Sequence, residues 1–334
     1  MGGRIVRNKI GLVVLILVMG LLLAACGSQG GTDQAKKPSF PTKPIDLIIP
    51  FPAGGGTDLG ARVLKPYLEK ELGVTVNIVN KPGAEGWVGW AELANAKPDG
   101  YTIGYVNSPT LVVHTLDPNK KRKEKLSSYT MLANHVTDAN VIVIRKSETR
   151  FTDVKSLFEY AKTHELTTGA NGVGSDDHIA ILKINKAYGT KLRPIQFKGA
   201  PESQAALMGG HIDILVANVS EFVETHRTGE LKVITIMAEK QSDIYPVVPT
   251  MSEIGPAKII NASSRAIGGP AGLDPQVQEI LGKALEKAIN NPEHKEKLAK
   301  MGLVADYRAG ADYTNLLKAL EQDVLSMKDV LGWK

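Results

Sequence analysis

This chain reads as an α/β protein of two lobes, each a mainly parallel sheet flanked by helices, with two crossing strands joining them. Three observations lead there. Strand and helix patterns alternate from Ile45 onward, the same βαβαβ order recurs from Glu165, and each half opens on a glycine-rich loop between an apolar strand and an amphipathic helix. With 43% hydrophobic residues and no long low-complexity tract, the chain can bury the core that about two domains require.

In the first half, the apolar run 45–49 is a strand, followed by the loop Pro50-Phe51-Pro52-Ala53-Gly54-Gly55-Gly56-Thr57-Asp58. A helix over 57–72 follows, with Leu59, Val63, Leu64, Tyr67 and Leu68 on its apolar face, Gly73 as its stop and a kink expected at Pro66. A strand at 74–79, a helix at 85–96, a turn at Lys97-Pro98-Asp99-Gly100 and a strand at 101–106 complete the unit.

The second half runs strand 166–170, the loop Thr167 to Ser175 with Gly169, Gly172 and Gly174, helix 177–188, strand 192–197, helix 201–208 and strand 212–216. Its Lys198-Gly199-Ala200-Pro201 connection stands where Asn80-Lys81-Pro82-Gly83-Ala84 stands in the first half. Between the halves, 140–144 is expected to cross from one lobe to the other and 264–269 to return, giving a hinge. The expected boundaries are residues 44–141 plus 265–334 for lobe 1 and 142–264 for lobe 2. Near the C-terminus, Asp274 caps a helix that Pro275 opens, with a stripe of Val277, Ile280, Leu281, Ala284, Leu285, Ala288 and Ile289. A second stripe of Tyr313, Leu316, Leu317, Leu320, Val324, Met327 and Leu331 is expected to pack back onto lobe 1.

The N-terminus reads as an export signal. Arg4, Arg7 and Lys9 precede an apolar stretch from Ile10 to Ala25, too short for a comfortable membrane span, and the small residues Ala24 and Ala25 precede the chain's single cysteine, Cys26. That placement resembles a bacterial lipobox, which implies a signal peptide at 1–25 and a lipid anchor on Cys26. Residues 26–43, poor in apolar side chains, then form a flexible tether. Removing residues 1–25, which hold three basic and no acidic residues, takes the formal charge from +5 to +2 and leaves 309 residues. So small a charge excludes a nucleic-acid partner, which needs a basic face to neutralise phosphates.

A helix N-terminus exposes unpaired N–H groups at the positive end of the helix dipole, so a glycine loop there lets an anion come close. Two such ends in equivalent positions suggest two walls of one anion-binding cleft. The first loop has no G-x-x-x-x-G-K-[ST] spacing and fails G-x-G-x-x-G at Leu59, which disfavours nucleotides. Ser175-Asp176-Asp177-His178 is no hydrolytic triad, because four consecutive residues at a helix start point around its axis. His178 reads as a capping or loop-bracing residue, and the other histidines show no zinc spacing. Arg265 in the return crossing faces either a ligand carboxylate or an acid of the other lobe. The run Lys120 to Lys125 reads as a solvated loop, and Trp87 and Trp90 as packing residues.

The motifs Pro50-Phe51 with Gly54-Gly55-Gly56-Thr57-Asp58, Asn80 to Ala84, Pro98 to Thr102, Gly172 to His178, Lys198-Gly199-Ala200 and Gly210-His211-Ile212-Asp213 occur in order along the chain. Together they resemble the tripartite tricarboxylate transporter substrate-binding family, the Bug-type extracytoplasmic solute receptors. The resemblance implies a two-lobed periplasmic-binding-protein-like fold of type II-like plan, no enzymatic activity and no cofactor. It also implies a monomer that closes on a small organic carboxylate and delivers it to multi-span membrane permease subunits. Carried residue by residue, it assigns ligand contact to Ala53, Gly54, Gly55, Gly56, Thr57 and Asp58, to the opposing Gly172, Val173, Gly174, Ser175 and His178, and to Asn107, Ser108 and Asn218. The chain departs from the family pattern in two places. Ser264 stands where an aromatic is expected, and Asp176-Asp177 put two acids where uncharged residues are commoner, favouring a monocarboxylate or amine-bearing acid over a polyanion such as citrate. A sensory receptor for the same solute, presenting it to a membrane signalling partner, is the alternative; a surface hydrolase ranks lower, for want of a nucleophile–base pair.

Overall fold

The computed structural model describes residues 40–254, 257–329 and 331–333. The expected signal peptide, Cys26 and the tether as far as residue 39 lie outside the described residues. Among those described, no helix is long and apolar enough to cross a membrane.

The first βαβαβ unit comprises β1 (Ile45–Ile49), α1 (Gly56–Leu72), β2 (Val76–Asn80), α2 (Trp87–Ala94) and β3 (Thr102–Ser108), followed by a short α3 (Thr110–Leu116). Strand β4 (Tyr129–Arg145) and α4 (Val154–Thr163) lead to β5 (Leu166–Ala170), α5 (Asp176–Tyr188), β6 (Leu192–Gln196), α6 (Ala200–Met208) and β7 (Ile214–Asn218). Then come α7 (Val223–Arg227), β8 (Leu231–Ile236), α8 (Met251–Ile254) and β9 (Ala262–Pro270). The chain closes with α9 (Pro275–Asn290), α10 (Pro292–Lys300), β10 (Val304–Ala309) and α11 (Gly310–Ser326). Helix α1 runs unbroken through Pro66 and stops at Gly73, whose φ of 70° is a left-handed turn that glycine adopts without strain.

Strands β2, β1 and β3 are parallel, as are β6, β5 and β7, which is the parallel plan expected of both halves. Antiparallel strands complete each sheet. β9 pairs with β3, and β4 joins the two assemblies. Its first part, Tyr129 to Ala139, pairs with β9 and β10, whereas from Asn140 it pairs with β7 and from Val141 with β8. The crossing strand thus starts well before residue 140. On the return, the Asn261 carbonyl accepts from the Asn140 amide at 2.9 Å and the Asn261 amide donates to Met237 O at 3.0 Å, before β9 pairs with β3 and β4. Both carboxyl ends of the parallel strands therefore open toward the β4–β9 seam, where α/β sheets bind ligands.

Each assembly has its own apolar core. Trp87, Trp90, Leu111, Val112 and Val113 pack with Tyr313, Leu317 and Val324 of α11; of the rest of the C-terminal stripe, Leu320, Met327 and Leu331 are half-buried against this core and Leu316 is 37% exposed. The other core joins Phe151, Leu157, Ile181, Ile184, Leu192, Ile214 and Val216.

Candidate functional site

Residue Gly56 opens α1, and its cap position, Gly55, offers no side-chain hydrogen bond. The amides of the first turn therefore have no acceptor from the helix itself. Asp58 folds the preceding loop: Oδ2 accepts from the Gly54 amide at 3.0 Å and from Arg62 Nε at 2.9 Å, and Oδ1 accepts from Asn80 Nδ2 at 3.1 Å. Burial pulls its pKa up, but the bonds from Arg62, Gly54 and Asn80 outweigh that and hold the carboxyl below its ordinary value. Beside it, Thr57 Oγ1 accepts from Asn107 Nδ2 at 2.8 Å, which leaves the buried Asn107 Oδ1 without a partner.

Facing this helix end is Arg265 of β9, 2% exposed. Its Nη2 donates to Asp138 Oδ2 at 2.7 Å and to Asn218 Oδ1 at 3.3 Å, whereas Nε and Nη1 are buried with no partner. The guanidinium lies so close to Gly56 that a Cβ there would stand 2.6 Å from Nη1. One edge of Arg265 thus pairs with an acid, Asp138 of the neighbouring strand β4 rather than one of the other lobe, and the other edge is open.

These groups border a cleft of about 520 Å³, counting its solvent-open space. Gly55, Gly56, Thr57, Asn107 and Arg265 line one side, and Ser175, Asp176, Asp177, Asn218 and Glu221 the other. The far wall is acidic. Asp176 Oδ2 accepts from Asn140 Nδ2 at 2.8 Å and Asn218 Nδ2 at 2.7 Å; Asp177 accepts from Asn140 Nδ2 at 2.8 Å and the Asn171 amide at 3.1 Å. Glu221 Oε2 accepts from the Asn218 amide at 3.3 Å. Burial raises the pKa of Asp138, Asp176, Asp177 and Glu221, Glu221 to about 7, and the neighbouring Asp176 charge adds to the rise at Asp177.

The expected ligand residues thus divide. Gly55, Gly56, Thr57, Asn107, Ser175, Asn218 and Arg265 come together at the cleft, and Ala53, Gly54, Asp58, Ser108, Gly172, Val173, Gly174 and His178 do not line it. Ser108 Oγ shares a hydrogen bond with Tyr313 OH at 3.1 Å. In the second loop the amides already have protein acceptors: Val173 donates to Glu85 Oε1 at 3.2 Å, Gly174 to His178 Nδ1 at 3.1 Å and Ser175 to Gly172 O at 3.2 Å. His114 Nε2 bonds Val173 O at 3.0 Å, and Gly174, with φ 79°, is packed against Val113. His178 braces the loop, and its own amide donates to the Ser175 cap at 3.1 Å. Several groups around the site escaped the sequence reading, among them Asp138, Asn140, Glu221, the loop-holding Glu85, and Thr110, Asn171 and Ser263 at the cleft. A signal for the first two exists, since Asp138 and Asn140 stand just before the apolar run Val141 to Ile144 of β4.

Residues 60–326 match the family described as the tripartite tricarboxylate transporter family receptor. A Cupriavidus necator protein from the gbd 5′ region is 31% identical over 293 residues, covering 87% of this chain and 88% of the relative. BugT of Bordetella pertussis is 28% identical, covering 86% and 88%. Among solved structures, an R. palustris protein with adipate has the same fold, with a TM-score of 0.83 and 21% identity over 88% of this chain and 99% of its own.

Proposed function

Because this chain belongs to the tripartite tricarboxylate transporter receptor family, a family of Bug-type solute-binding receptors and not of enzymes, we propose that it captures an organic carboxylate between its lobes and passes it to a multi-span permease. The observation that carries this reading is the open edge of Arg265. Two buried guanidinium donors without partners, set against an uncapped helix N-terminus, suit a carboxylate. Each charge-assisted bond in such a desolvated site contributes roughly 1.5–3 kcal/mol. Thr57 Oγ1, the Asn107 side chain and Asn218 orient the rest of the guest. Adipate in the R. palustris relative fits the same class of ligand.

The lobes are residues 44–141 with 265–334 and residues 142–264, closing about β4 and β9. The signal at 1–25 directs export and is removed, and the lipid on Cys26 holds the receptor on the outer side of the cytoplasmic membrane, as a monomer on its tether. A thermal-shift screen of ligand-stripped protein against mono-, di- and tricarboxylates tests the reading, since a ligand that binds only the native state raises the melting temperature. A rise with at least one acid and none with its amide supports it. Equal shifts with acid and amide, or none at all, count against it.

A further inference from the structure

The acidic wall points past a plain carboxylate. We infer that the guest carries a cationic nitrogen close to its carboxylate, so that the receptor takes a short amino acid or similar zwitterion; this rests on the carboxylate-receptor reading above. The charges on the two walls differ in kind. Arg265 has its counter-ion in Asp138 at 2.7 Å and still offers Nε and Nη1. Asp176, Asp177 and Glu221 line the same cleft and, among the described residues, take their hydrogen bonds from amide donors and from no cation: Asn140 and Asn218 for Asp176, Asn140 and the Asn171 amide for Asp177, the Asn218 amide for Glu221; Arg265, already paired with Asp138, reaches Asp176 and Glu221 only through space. Neutral amides satisfy part of a carboxylate's hydrogen-bonding capacity but none of its charge, and burying several such groups together is costly unless a cation joins them.

The spacing suits one small guest. Asn218 bridges the two ends, its Oδ1 accepting from Arg265 Nη2 at 3.3 Å and its Nδ2 donating to Asp176 Oδ2 at 2.7 Å. A carboxylate on Arg265 and an ammonium on the acidic wall are thus one side-chain amide apart, the separation within a short amino acid. A dicarboxylate would set its second charge against three acids, and like charges repel.

Titration calorimetry on stripped protein decides this with matched pairs: L-aspartate and succinate, L-glutamate and glutarate, β-alanine and propionate, γ-aminobutyrate and butyrate. In the pair that fits, the amine-bearing acid is expected to bind at least roughly tenfold tighter. Asp176→Asn with Glu221→Gln should erase that margin while the partner without the amine binds as well or better. Should the double variant not fold, Glu221→Gln alone is read the same way. Equal or tighter binding of the acid without the amine, or a margin that survives the substitutions, overturns the inference and leaves the receptor reading standing. No binding by either member of any pair removes both.

Discussion

Glu85 Oε1 accepts a hydrogen bond from the Val173 amide at 3.2 Å, tying the turn before α2 to the loop after β5. The same carboxylate meets His114 Nε2 at 3.3 Å and Lys120 Nζ at 3.1 Å, and Glu85 itself sits at φ 60°, a left-handed position rarely taken by a side-chain-bearing residue. A glycine loop whose sequence suits an anion has therefore found one inside the protein. It works as a clasp between the two parallel assemblies, with the cleft between them.

Glu85→Gln should loosen that clasp. On the proposed closure of the lobes around the ligand, Kd for the cognate acid is expected to rise roughly fivefold, about 1 kcal/mol, with the melting temperature little changed. Calorimetry reads the first and small-angle scattering reads the shift toward an open form. An unchanged Kd and radius of gyration would dissolve the clasp. Acid should act in the same direction: the His114 hydrogen bond, with Lys120, holds the Glu85 carboxyl at about 2 against an ordinary 4.5, despite burial. A depressed carboxyl contributes fully above pH 4.5, and the contribution fades as pH falls toward 2.

Gly56→Ala is the least invasive probe of the anion end. Its Cβ would stand 2.6 Å from Arg265 Nη1, and a guanidinium anchored to Asp138 cannot swing away freely. Affinity for the carboxylate should fall at least roughly tenfold, the worth of one charge-assisted bond. Circular dichroism should show the helix content intact, and wild-type affinity would displace the site from this helix end.

Asp138→Asn leaves Arg265 buried without its counter-ion. Breaking one side of a buried pair costs about 3–5 kcal/mol. Urea unfolding should register a loss of that order, and a loss under 1 kcal/mol would mean that Asn218 Oδ1 suffices for the guanidinium.

His135 and His294 form a buried pair, Nε2 to Nε2 at 3.1 Å, with Tyr105 OH on His135 Nδ1 at 2.7 Å and His294 Nδ1 on Ile289 O at 3.1 Å. One proton on each ring satisfies the whole chain, and burial holds both pKa values below the ordinary 6.5. The unfolded chain takes protons that the folded one refuses. Stability is complete above pH 6.5 and falls as pH drops below it. His294→Gln should flatten urea midpoints between about pH 5 and 7, whereas an unchanged slope would place the titration elsewhere.

Much of the fold was legible because local punctuation marks it. Gly73, the Lys97 to Gly100 turn and the Asp274-Pro275 start each fix an element boundary through backbone chemistry that neighbouring residues suffice to determine. The antiparallel strands β8 and β10 were not legible, since pairing with β4 is decided far along the chain. The site divides in the same way. Gly56 and Thr57 announce a helix end suited to an anion, but which anion meets the loop at Val173 depends on Glu85, 88 residues away. The acidic wall was visible only as Asp176-Asp177; Glu221 joins it just past the end of β7, and Asp138 reaches Arg265 through the pairing of β4 with β9.

A crystal structure of the protein with its cognate acid tests the central claim most directly. The account expects a ligand carboxylate within hydrogen-bonding distance of Arg265 Nη1 or Nε and of the Gly56–Thr57 amides. A carboxylate bound elsewhere, with those guanidinium donors still facing no ligand atom, would contradict it.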